Sequence, residues 1–226
     1  MGSAERRQTP AAAEVGIPRA SHWRDLREGL AFVWSSPPLL AGMWLAVLVN
    51  ATAFPLSGQL LPYVAREIYA VDQTGLGYLS ASFAAGALLG SIAVSVRRAM
   101  QPARVMLLAA LAWYVFLLAF AQMEGVLGGA LLLVLAGFAQ SFCMITCAVV
   151  LLRLAGERFR GRIMGVRMMA IYGMPVGLLA AGVLIERIGF GATATLYAVL
   201  GLAFTLIIAA YWRAQLWGAH APANAR

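Results

Sequence analysis

Long apolar stretches separated by short charged segments dominate the hydrophobic pattern of this chain. Six intervals of at least 18 residues contain no Asp, Glu, Lys or Arg, at 29–65, 73–96, 105–123, 125–152, 168–185 and 188–212. A helix needs about 20 apolar residues to cross the roughly 30 Å hydrocarbon core of a bilayer. The intervals lack the alternation of a membrane β-strand, and a helix satisfies its own backbone groups in lipid. The pattern predicts an all-α membrane protein with six transmembrane helices.

Turn residues trim these intervals and define the expected domain organisation. The predicted spans lie near 39–61, 76–96, 104–122, 127–152, 163–185 and 190–212. They form one bundle over residues 39–213, which a cytoplasmic tail follows at 214–226. Residues 1–20 are rich in Ala, Pro and charge, so they are expected to be a flexible cytoplasmic tail.

A short amphipathic helix is predicted at 21–36, before the first span. Trp23, Leu26, Leu30 and Val33 recur at helical spacing, and the charged residues of the segment lie away from that stripe. A helix of this kind lies in the membrane interface with its apolar face towards the lipid. We therefore expect it to rest on the cytoplasmic surface and to lead into the first span.

Composition and charge support the membrane class and orient the chain. The residues are 62% hydrophobic and 12% charged, with a mean hydropathy of +0.81. A soluble domain has about 45–50% apolar and about 25% charged residues. With six spans, 14 of the 17 arginines fall on the side that holds both termini, two fall on the opposite side, and Arg167 lies inside a span. The positive-inside rule then places both termini in the cytoplasm, and no nucleic-acid partner is needed to explain the charge.

Three segments together resemble a known family: the runs at 26–37 (LREGLAFVWSSP), 157–165 (ERFRGRIMG) and 182–189 (GVLIERIG). They are similar to segments of the major facilitator superfamily of transporters, in the branch of bacterial enterobactin exporters and drug-efflux proteins. Residues 24–213 are similar to helices seven to twelve, the carboxy-terminal half. The loop after the second span departs from the family's Gly, Asp and Arg motif, because it has Arg97-Arg98 and no Asp.

The resemblance implies a fold and a mechanism. The fold is a 3+3 inverted repeat, and the mechanism is alternating access by one half of a secondary transporter that exports a small molecule from the cytoplasm. A second six-helix bundle would come from a separate chain, a second copy or an amino-terminal half. The expected location is the plasma (inner) membrane of a bacterium.

Polar residues inside the spans are the candidate cavity and substrate residues. Asn50 and Gln59 lie near Pro55 at helical spacing, and the resemblance implies that this helix lines the central cavity. Gln140 and Tyr172 are further cavity candidates. Interhelical hydrogen bonding is the alternative for Asn50, Gln59 and Gln140.

Arginines and helix breakers predict a gate and a hinge. Arg160, Arg162 and Arg167 are candidates for a cytoplasmic gate, and Arg167 could also contact an anionic group. The alternative for Arg167 is snorkelling to the nearby interface. Pro55 is expected to bend the first span, and Gly173 and Pro175 are expected to bend the fifth. These three residues are the candidate hinge residues.

The chemistry of an enzyme is not visible in the sequence. It contains no pair of intramembrane carboxylates, no Ser/His/Asp set and no Gly-rich phosphate loop. We expect no cofactor and no metal, and Cys143 and Cys147 are interpreted as small buried side chains. The alternative function is a scaffold or regulatory partner in the membrane that does not transport, or a non-functional fragment.

Overall fold

The computed structural model describes residues 22–96 and 101–212, and these are helices joined by short turns. The helices are α1 His22–Ser35, α2 Pro37–Phe54, α3 Leu61–Tyr63, α4 Gln73–Val96, α5 Pro102–Ala121, α6 Val126–Met169 and α7 Gly173–Tyr211. No β-strand occurs in the described residues, so the predicted all-α class is confirmed. The predicted tails at 1–20 and 214–226 lie outside the described residues.

Five helical segments are long and apolar enough to cross a membrane: Pro37–Ile68, Gln73–Val96, Pro102–Ala121, Val126–Glu157 and Phe159–Tyr211. They confirm the membrane class that the sequence predicted. The first segment joins α2 to α3 through a π-helical turn at Pro55–Gln59 and continues through a second one at Val64–Ile68. It therefore runs beyond residue 61, where the sequence pattern ends the first span.

The last apolar segment folds back on itself at Gly189. This segment has 53 residues, which would make a straight helix of about 80 Å. Gly189 has φ 80° and ψ 166°, a conformation that glycine adopts without steric cost. The hydroxyl of Tyr197 donates a hydrogen bond to the carbonyl oxygen of Gly177 at 2.6 Å. Residues with this separation would lie about 30 Å apart in a straight helix, so α7 forms a hairpin.

A second reversal occurs at Gly156 within α6. Gly156 has φ 61°, again in the left-handed region. A nitrogen of the Arg167 guanidinium lies 3.5 Å from the carbonyl oxygen of Met144, although the two residues are 23 positions apart. Because a straight helix would separate them by about 35 Å, the chain turns back between them.

Close glycine contacts join α4 to the part of α6 before Gly156. A Cβ atom on Gly86 would overlap the carbonyl group of Val134, and one on Gly137 would overlap the carbonyl oxygen of Phe83. Glycine therefore lets the two backbones touch, as small residues do in membrane helix pairs. The contact is the most extensive between any two of the described helices.

The core of the bundle lies around α5. Trp113 and Tyr114 are both fully buried. The hydroxyl groups of Tyr114 and Thr52 are 2.6 Å apart, and the rings of Trp113 and Phe54 pack edge to face with centroids 5.1 Å apart. These contacts fasten α5 to α2 in the centre of the molecule.

The amphipathic helix α1 packs against the end of the bundle that contains Gly156. A carboxylate oxygen of Glu28 lies 2.6 Å from the Arg162 guanidinium. The rings of Phe32 and Phe159 stack with centroids 4.4 Å apart and planes 4° apart. At the opposite end, Gln122 donates a hydrogen bond to the Thr195 hydroxyl at 2.7 Å. An ion pair and stacked aromatic rings therefore join segments at one end of the bundle, and a neutral hydrogen bond joins segments at the other.

Candidate functional site

The backbones of α2 and α7 meet in one close contact, which we call the α2–α7 joint and define as Val47, Ala51, Gly173 and Gly177. A Cβ atom on Gly173 would lie 3.3 Å from the carbonyl oxygen of Val47. One on Gly177 would overlap the carbonyl oxygen of Ala51. Glycine at these two positions lets the helices approach without intervening side chains.

Two interruptions of regular helix flank the α2–α7 joint. The π-helical turn Pro55–Gln59 begins one helical turn after Ala51, and the Leu60 N–H donates to the Pro55 carbonyl oxygen at 2.9 Å. A 3-10 turn at Ala170–Tyr172 immediately precedes Gly173. Such turns inside long helices frequently mark hinges or functional sites.

The three candidate hinge residues lie in or beside these interruptions. Pro55 is buried at the first position of the π-helical turn, where its missing N–H removes a donor that regular helix would use. Gly173 begins α7, and Pro175 is exposed in the first turn of that helix. The structure thus brings all three close to the α2–α7 joint, and their function as a hinge stays a prediction.

The candidate cavity residues differ in their surroundings. Asn50 is buried, and its amide nitrogen donates to the Ala46 carbonyl oxygen of its own helix at 2.8 Å. Gln59 is exposed in the π-helical turn, and Tyr172 is 74% exposed. Gln140 is partly buried, and its carbonyl oxygen lies 3.5 Å from the Ser141 hydroxyl. These four side chains therefore range from buried to open.

The three arginines predicted to form a gate also differ in their surroundings. Arg160 is exposed. Arg162 pairs with Glu28 and lies over the Phe159 ring, with 5.5 Å between the guanidinium carbon and the ring centroid. Arg167 is partly buried and reaches the Met144 carbonyl oxygen, one helical turn beyond Gln140. Arg162 therefore holds α1 in place, whereas Arg167 points across to the preceding part of α6.

The convergence of these candidates is partial. Arg167 reaches the Met144 carbonyl oxygen, and Gln140 precedes Met144 by one turn of the same helix. Among the hydrogen bonds and ion pairs of the described residues, none joins Asn50, Gln59, Gln140 and Arg167 to one another. A single cavity shared by all four stays a prediction.

Two features were not predicted from the sequence. The Trp113 indole N–H is buried and has no acceptor among the described residues. An apolar groove of about 210 Å³ also lies where α1, α2 and the end of α6 meet. Its walls come from three segments: Leu30, Val33 and Trp34; Leu40, Met43, Trp44 and Val47; and Val166, Met169 and Ala170. No sequence motif indicates either feature, because both depend on how segments that are distant in sequence pack together.

Comparisons with known protein families, with curated proteins and with solved structures give no match to this chain. Within the described residues, His, Cys, Asp and Glu form no group of three or more that could hold a metal ion.

Proposed function

We propose that this chain transports a small molecule across a bacterial plasma (inner) membrane, as one half of a secondary transporter that works by alternating access. The observation that carries the proposal is the α2–α7 joint, where two interrupted helices meet through backbone contact. Interrupted membrane helices are typical of secondary transporters, in which they bend around a substrate site near the middle of the bilayer.

The proposed topology has six membrane crossings with both termini in the cytoplasm. The reversal at Gly189 supports it, since it divides the 53-residue segment Phe159–Tyr211 into two antiparallel parts. The crowding of arginines towards the α1 end of the bundle favours that end as the cytoplasmic one. Three crossings before residue 126 and three after it agree with the 3+3 repeat that the sequence resemblance implies.

The proposed mechanism needs a second six-helix bundle, with a cavity between the two. The part of α6 after Gly156 supports this need with an open surface at Gly161 and Gly165. A Cβ atom on either glycine would have no neighbour within 4 Å. Two glycines four residues apart form a notch that suits the close approach of another membrane helix. A second copy of this chain is the simplest source of that helix.

In this mechanism the two bundles rock against each other, and the helices of each bundle bend locally. The interruptions at Pro55–Gln59 and Ala170–Tyr172 let α2 and α7 bend on either side of their glycine contact. The ion pair of Glu28 and Arg162 keeps α1 attached to the cytoplasmic end during the motion. The direction of export rests on the resemblance to the efflux branch.

Reconstitution into lipid vesicles tests the proposal. The purified chain should move a lipophilic dye against its gradient when an ion gradient is imposed, and particles in nanodiscs should contain two bundles. Assembled, folded particles that move no dye under any gradient would refute the transport function. That result would favour the alternative of a membrane scaffold or regulatory partner, for which the open glycine surface would be the docking face.

A further inference from the structure

A partly buried cation without an acidic partner lies within the apolar part of the bundle. Arg167 belongs to the apolar segment Phe159–Tyr211. Its one hydrogen bond within the described residues reaches the Met144 carbonyl oxygen at 3.5 Å, beyond the usual range for an N–H donor. The ion pairs among those residues join Arg66 to Glu67 and Arg162 to Glu28. Most of the five donors of the Arg167 guanidinium are therefore free for another group.

A second donor, the Gln140 amide, lies one helical turn before Met144, in the part of α6 that precedes Gly156. Gln140 precedes Met144 by four residues, so the two side chains are neighbours on the helix surface. The Gln140 carbonyl oxygen lies 3.5 Å from the Ser141 hydroxyl. Its amide nitrogen donates no hydrogen bond within the described part of the chain. The Arg167 guanidinium thus reaches the backbone of α6 one helical turn beyond the Gln140 amide.

This pair of donors has a clear chemical preference. A guanidinium binds the two oxygens of a carboxylate or phosphate group in parallel, and an amide N–H adds a neutral donor to the same group. Charged side chains are costly at membrane depth, and those that persist usually face a cavity or a pathway. An anion with an apolar body would satisfy both the donors and the apolar helices around them.

We propose that Arg167 and Gln140 form a subsite for the anionic group of an amphiphilic molecule. The inference rests on the proposed transport function and deepens it, since it names amphiphilic anions as the substrate class. The anionic group could belong to a free carboxylate or to a phospholipid headgroup. The chemistry is shared, and the experiment separates the two sources.

Binding of two matched probes to the full chain in phosphatidylcholine nanodiscs tests the subsite. The probes are 1-pyrenebutyrate and its neutral amide, with empty nanodiscs subtracted. Arg167→Gln should weaken binding of the carboxylate by about tenfold or more, because it removes a charged hydrogen-bonding group. It should leave binding of the amide unchanged, and Arg167→Lys should restore part of the loss. Gln140→Leu should weaken carboxylate binding by about threefold, in keeping with a neutral hydrogen bond.

The matched control is Arg153→Gln, which removes the same charge from an exposed position of α6. It should leave the binding of both probes unchanged. Carboxylate binding that survives Arg167→Gln would overturn the subsite. An equal loss for both probes in a variant that keeps wild-type thermal stability would overturn it as well.

A second set of nanodiscs contains phosphatidylglycerol. If this lipid weakens binding of 1-pyrenebutyrate to the wild-type chain but not to Arg167→Gln, the site accepts a phospholipid headgroup. If it does not compete, the site selects the free carboxylate. Binding of the carboxylate without transport in vesicles would retain the subsite and reject the transport function. Transport of a neutral dye without carboxylate binding would do the reverse.

Discussion

Replacing Gly177 by alanine is expected to force α2 and α7 apart. The new Cβ atom would overlap the carbonyl oxygen of Ala51, which belongs to a backbone and cannot rotate away as a side chain can. The helices must separate by on the order of 1 Å to restore an ordinary van der Waals distance. The same shift would loosen the nearby approach of Gly173 to Val47, since both contacts lie along one pair of helices.

The size of the effect follows from the cost of overpacking. Extra carbon atoms in a packed interior typically cost about 1–3 kcal/mol. In a soluble domain of this length, each kcal/mol shifts Tm by about 2–4 °C. A cost in the middle of that range therefore lowers the Tm of Gly177→Ala by about 4–8 °C. Gly182→Ala is the matched control, because a Cβ atom on Gly182 meets nothing within 4 Å.

The chain carries its own reporter for this measurement. Cys143 and Cys147 are both free and fully buried, so a fluorogenic maleimide reacts with them only when the bundle opens. Heating each variant in mild detergent with the dye gives its Tm. Gly182→Ala should match or exceed the wild type, since alanine favours helix over glycine by about 1 kcal/mol. Equal Tm values for Gly177→Ala and Gly182→Ala would refute the close backbone contact.

Three further outcomes are expected. Glu28→Gln should lower Tm only slightly, because its half-exposed ion pair with Arg162 contributes at most about 1 kcal/mol. The same variant should speed proteolysis within α1, and an unchanged rate of proteolysis would count against attachment of α1 through this pair. Thr52→Val and Tyr114→Phe should each lower the free energy of unfolding by about 0.5–1.5 kcal/mol, because each removes the same 2.6 Å hydrogen bond. The double variant should therefore lose less than the sum of the two, and additive losses of Tm would contradict that bond. In folded protein at 25 °C, Cys143 should stay unlabelled for as long as the bundle is closed; rapid labelling would contradict its burial.

The class of fold could be predicted from the sequence because lipid imposes a simple rule. An apolar interval long enough to cross the bilayer must be helical, so intervals such as 73–96 lead directly to α4 at Gln73–Val96. The extension of the first helical segment to Ile68 was not predicted, because a proline at position 62 usually marks the end of a helix. Pro62 instead occupies the first turn of α3, where a missing N–H costs little.

The contacts that build the candidate site could not be predicted in the same way. Small residues occur throughout these helices, and only the packed structure selects Gly177 to meet Ala51. The pairing of Glu28 with Arg162 joins segments far apart in sequence, so no local pattern reveals it. Arg167 was identified as a candidate from the sequence because a charge inside a span is conspicuous. Its approach to the Met144 carbonyl depends on the reversal at Gly156, which the sequence did not reveal.

Dye transport by purified protein in sealed vesicles is the most direct test of the proposed function. Vesicles should contain particles that a mass measurement in nanodiscs has shown to hold two copies of the chain. The proposed function requires transport that depends on an imposed ion gradient and that weakens in Gly177→Ala more than in Gly182→Ala. Folded two-copy particles that leave the dye distribution unchanged would contradict it.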